Sequence, residues 1–85
     1  MKWNALRRML RSKLNSEVEH GGKHDGWDVY CGSSYRGRVL DSRGDGEMRG
    51  HEIGNVARSL GVSERQLREL VSCAMSREQY CTETT

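Results

Sequence analysis

In residues 53–72 the apolar residues keep helical spacing, break once, and resume. Ile53, Val56, Ala57 and Leu60 recur three and four apart, and Met48 extends their line, so they share one face of a helix. Gly61 follows the last of them. Glycine ends helices there because it accepts a left-handed backbone conformation without a steric penalty. Ser63 stands where the next helix needs a side-chain oxygen for its free N–H groups, and Gln66, three residues on, completes a capping box. Leu67, Leu70, Val71, Ala74 and Met75 form the second stripe. Residues 47–77 are therefore expected to make two short helices around a tight turn. Gly50 and Gly54 should each weaken the first by about 1 kcal/mol relative to alanine.

The rest of the chain must supply what this pair packs on. Trp3, Leu6, Leu10, Leu14 and Val18, with Met9 beside them, recur at helical spacing and predict an amphipathic helix over residues 1–20. Arg7, Arg8, Arg11 and Lys13 occupy its flanks and back. The run "HGGKHDG" ends it, because paired glycines and a polar cluster favour a loop. Trp27, Val29 and Cys31 then alternate with Asp28 and Tyr30, and Tyr35, Val39 and Leu40 follow "GSS". Aromatic and β-branched residues in that pattern predict a β-hairpin over residues 27–41. A two-stranded ribbon needs support, and the first helix is the obvious candidate. "SRGDGE" reads as a flexible joint, its Arg43-Gly44-Asp45 tripeptide a chance match to integrin-binding loops. Residues 78–85 read as a frayed tail. The fold class expected is α+β: N-terminal helix, central hairpin, C-terminal helical pair.

With 85 residues, 34% of them apolar and neither Phe nor Pro, the chain is long enough for a single small domain of marginal stability. The net charge of +2 is mild for a nucleic-acid protein. Its basic surplus lies in residues 1–26, where six Lys and Arg face three Asp and Glu; residues 49–85 carry five of each. No apolar run approaches a membrane span, and the N-terminus lacks the continuous apolar core of a secretory signal. Cys31, Cys73 and Cys81 are an odd set without a C-x-x-C pair. They are expected to be reduced thiols of a cytoplasmic protein, with no metal and no cofactor.

The stretch "VARSLGVSERQLREL" resembles the helix-turn-helix DNA-binding family, over residues 53–72, about a quarter of the chain. Ala57 matches the small residue that lets the second helix pass close, and Gly61 falls four later at the turn. Val56, Leu60, Val62, Leu67 and Leu70 take the apolar positions. The resemblance implies that the second helix enters the major groove of duplex DNA. Ser63, Glu64, Arg65, Arg68, Glu69 and Ser72 would then face base edges. Arg65 or Arg68 would pair with guanine, and Glu64 or Glu69 would accept from cytosine. Arg58 and Arg49 would touch phosphate. Residues 49–72 carry four Arg against three Glu, so a lone copy should hold phosphate weakly, and a homodimer would double the contacts. The N-terminal helix must act as the supporting third helix. A small bacterial or phage transcription regulator is the function expected.

Other chemistries have pieces without an arrangement. Trp27, Tyr30 and Tyr35 with Arg36 and Arg38 form a candidate stacking platform for single-stranded nucleic acid. Cys31 with His20 or His24 would suggest a nucleophile and base, but no spacing unites them. "GDGEMRG" lacks the lysine of a phosphate loop. The chain is read as a non-enzyme. The alternative function is a protein-interaction module, an adaptor or phage-encoded inhibitor, in which the helical pair is structural.

Overall fold

The computed structural model describes residues 1–44 and 46–83. Helix α1 (Trp3–Ser12) buries Trp3, Leu6, Met9 and Leu10. It stops well short of the expected residue 20. Asn15 takes φ 52°, a left-handed conformation that asparagine tolerates better than most residues, and the chain reverses there. The Ser16 hydroxyl donates to the Asp28 carbonyl at 2.8 Å and holds the reversed chain on the sheet. Leu14 is still buried, and Val18 packs partly buried against the core, so the apolar spacing continues after the helix has ended.

Val18 opens a strand, β1 (Val18–His20), that sequence spacing had assigned to the helix. It pairs antiparallel with β2 (Asp25–Cys31), which pairs antiparallel with β3 (Ser34–Asp41). The expected hairpin is thus the larger part of a three-stranded sheet in the order β1-β2-β3. Trp27, Val29 and Val39 point into the core. Strand alternation sends Asp28, Arg38 and Leu40 to the other face. A register shift between Val29 and Tyr30 leaves Tyr30 opposite Tyr35.

Helix α2 (Gly50–Leu60) lies along β3. Gly37 lets it come that close: a Cβ there would overlap the Ser59 carbonyl oxygen, and its φ of 152° also favours glycine. Ile53, Val56, Ala57 and Leu60 are buried as their spacing predicts. Gly61 takes φ 71°, its N–H donating to Arg58 O at 3.1 Å while Val62 N–H donates to Ala57 O at 3.0 Å. Helix α3 (Glu64–Val71) follows, opened by the predicted box: Gln66 N–H donates to Ser63 Oγ at 3.1 Å and Ser63 N–H to Gln66 Oε1 at 2.9 Å.

The expected tail is also corrected. Ser76 and Gln79 form a second reciprocal cap, and Arg77–Glu83 is a helix, α4. Tyr80 is fully buried in the common core. Thr84 and Thr85 lie outside the described residues. Cys81 is bonded to Cys31, which corrects the expectation of reduced cysteines. The two are 50 residues apart in sequence, and the fold brings the end of β2 and α4 to a Cα separation of 5.7 Å, within disulfide reach. Cys73 remains free and exposed.

A part-buried ion pair ties α1 to the sheet. Arg7 Nε and Nη2 donate to the two oxygens of Asp41 at 2.7 and 2.8 Å. The Trp27 indole and the Arg43 N–H donate to the same carboxylate. Burial alone would push the Asp41 carboxyl up, but these donors, Arg7 foremost, outweigh it and hold it below the usual carboxylate range.

Candidate nucleic-acid interface

Helix α3 is fastened from behind by both neighbours. Its inner side is Leu67 and Leu70, both fully buried. Lys13, just past the end of α1, donates its ammonium to Leu70 O at 2.7 Å and Met75 O at 2.8 Å. A cation placed at the Leu70 carbonyl complements the C-terminal end of the α3 dipole. Helix α1 itself also packs against α3, although the three-stranded sheet and α2 separate them in sequence.

Opposite Leu67 and Leu70, the helical repeat gathers Glu64, Arg65, Arg68, Glu69 and Ser72 on an arc of about 140°. Glu64, Arg65, Arg68 and Ser72 are exposed, and Glu69 is half-buried. Arg68 makes no ion pair among the described residues. The Arg65 side chain is 90% exposed and lies 3.3 Å from Glu69. An exposed pair of this kind contributes a few tenths of a kcal/mol, so the guanidinium is readily exchanged to another acceptor. Ser63 is exposed, but its hydroxyl accepts the cap bond. The face holds two guanidiniums and two carboxylates and is neutral overall.

Arg58 and Arg49 do not join that arc. Arg49 is the residue before α2, its N–H donating to Glu52 Oε1 at 2.8 Å. Arg58 stands with His51 and Asn55 on the outer row of α2, beside a cleft against β3. That row was legible in the spacing of positions 51, 55 and 58, which share one helical face. The opposite wall, from His24, Leu40 and Ser42, had no signal in the sequence.

Comparison with protein-family models, curated protein sequences and solved structures yields no match to this chain.

The other candidate sites come apart. Trp27 is core, whereas Tyr30 and Tyr35 are exposed and meet edge to face at 5.3 Å. Arg38 is held by Asp28 at 2.8 Å and Glu19 at 3.4 Å, and Arg36 donates to Cys81 O at 3.2 Å, so the platform's cations are committed elsewhere. Cys31 is in the disulfide, and His20 Nδ1 lies 3.2 Å from Asp25, so no cysteine–histidine pair forms from them. Arg43 donates to Asp25 at 2.8 Å and to Gly21 O, which occupies the first residue of the Arg-Gly-Asp tripeptide. Among the described residues, no group of three His, Cys, Asp or Glu side chains is placed to hold a metal ion, and no helix is long and apolar enough to cross a membrane.

Proposed function

We propose that the protein binds duplex DNA in a sequence-dependent manner, with α3 entering the major groove and Arg65 and Arg68 reading base edges. The observation that carries this reading is the outward arc of α3, with both arginines exposed on a helix whose inner side is locked by Leu67, Leu70 and the Lys13 ammonium. Five polar side chains on one supported helix face suit base-edge recognition. Because the face is neutral overall, a single copy should bind weakly, and a homodimer acting on a two-fold site is the form proposed to be active. The site of action in this reading is the bacterial cytoplasm.

The test is a titration of the purified protein against random-sequence duplex at low and moderate salt, followed by selection of a preferred site. Affinity that falls steeply with salt, and a selected site whose preference is relaxed in Arg65→Ala and Arg68→Ala, are the expected results. Parent-like binding by both variants would remove α3 as the reading helix.

A second reading, a protein-interaction module, is favoured by two observations. The Cys31–Cys81 bond is typical of an oxidising compartment rather than the cytoplasm. Tyr30, Tyr35 and Leu40, the exposed large apolar side chains, all belong to the sheet. A chain inert to duplex at low salt that retains a partner through Tyr30 and Tyr35 would establish this reading instead.

A further inference from the structure

Between the outer row of α2 and the open end of the sheet lies a cleft of about 450 Å³. This is the size range of small-molecule sites. Its floor is Trp3 and Val56, each 3% exposed and set in the core. The Trp3 backbone N–H donates to Gly46 O at 3.0 Å, and the Arg7 guanidinium lies 5.4 Å over its ring, so the floor is held in place. One wall is Leu40, which at 57% exposed is the most open large apolar side chain of the described fold.

The rim is basic. His24, His51 and Arg58 all border the cleft. Arg58 makes no ion pair among the described residues, and its guanidinium makes one hydrogen bond there, a long contact to Asn55 Oδ1 at 3.5 Å. The carboxylate on the rim, Glu52, already accepts the Arg49 N–H. A guanidinium free of carboxylate, with the Asn55 amide beside it, His51 on the same row and His24 on the opposite wall, is a donor set for a tetrahedral oxyanion. An apolar wall and floor beside it suit a flat ring.

The geometry points to a binding site for a small phosphomonoester with a planar apolar body. Its phosphate is held by Arg58 and His51, and its ring lies against Leu40. This site is separate from the outward arc of α3 and does not depend on how that arc is used.

The experiment is a heteronuclear NMR titration of the full chain with phenyl phosphate, with benzyl alcohol and benzoate as arms lacking the phosphate. Saturable shifts at His51, Asn55 and Leu40 with phenyl phosphate, and at least ten-fold weaker responses to the other two, are expected. Arg58→Ala should weaken phenyl phosphate about ten-fold or more. Arg8→Ala, which removes the same charge from an exposed position of α1 outside the cleft, should bind like the parent. Equal weakening in both variants would mean diffuse charge attraction and would overturn the site, as would shifts that map elsewhere or never saturate. A short duplex is then added to the loaded protein. Displacement of phenyl phosphate from these residues would assign the phosphate to the DNA backbone and overturn the small-ligand site, whereas retention upholds it.

Discussion

The Tyr80 hydroxyl donates to the Leu60 carbonyl at 2.9 Å, joining the last helix to the last residue of α2. Leu60 immediately precedes the Gly61 turn, so α4 directly braces the corner on which α3 is set. Its carbonyl is among those a helix end leaves without an internal partner. Tyr80→Phe keeps the ring and removes the donor in a buried place. The expected loss is about 1–2 kcal/mol of unfolding free energy, read from urea denaturation with an unchanged slope. A variant as stable as the parent would show that the bond adds nothing to the corner.

The disulfide should matter more. Closing a loop across the sequence separation of 50 removes denatured-state entropy worth about 4 kcal/mol. In a domain of marginal stability that is a large share of the total. Cys31→Ser with Cys81→Ser, or reduction of the parent, should lower the thermal midpoint by tens of degrees and release α4 first. Hydrogen exchange would read this as loss of protection around Tyr80 before the rest of the core. Uniform loss across the chain would contradict a locally tethered α4.

The Arg7–Asp41 pair predicts the acid limb of stability. Asp41 is held below its ordinary value when folded, so its contribution is fully present above the ordinary carboxylate range. It is lost as pH falls through the folded-state value. Asp41→Asn should flatten the stability profile below about pH 4 and leave Arg7 poorly paired at neutral pH. Arg7→Met should cost about 3 kcal/mol by stranding a buried carboxylate. Chemical denaturation at pH 3 and pH 7 separates the two effects, and an acid limb unchanged in Asp41→Asn would assign it to other carboxylates.

Gly37→Ala tests the close approach of α2 to β3. The added methyl would meet the Ser59 carbonyl, and the backbone angle disfavours any side chain. A loss of more than about 2 kcal/mol is expected, since both the overlap and the strain act together. Gly50→Ala is the contrasting case, because a Cβ there meets nothing within 4 Å and the residue opens a helix. It should be neutral or stabilising by up to about 1 kcal/mol. Matched thermal melts of the two variants check the contrast.

The sequence by itself determined the features whose signals are local. The turn between α2 and α3 was written in Gly61, and the start of α3 in Ser63 and Gln66, because caps and left-handed turns act over three or four residues. The inner and outer faces of α3 followed from the spacing of Leu67 and Leu70, and so did the exposure of Arg65 and Arg68. The inward set of Trp27, Val29 and Val39 followed from strand alternation. Tertiary structure decided the rest. Leu14 and Val18 keep helical spacing yet leave the helix, since periodicity records which residues are apolar and is blind to the reversal at Asn15. Cys31 finds Cys81, Arg7 finds Asp41, Lys13 finds Leu70, and Tyr80 finds Leu60 only after the chain has folded back on itself. The cleft walls at Leu40 and Arg58 meet in the same way. Partners separated by tens of residues leave no period in the sequence, because what brings them together is the packing of the elements between them.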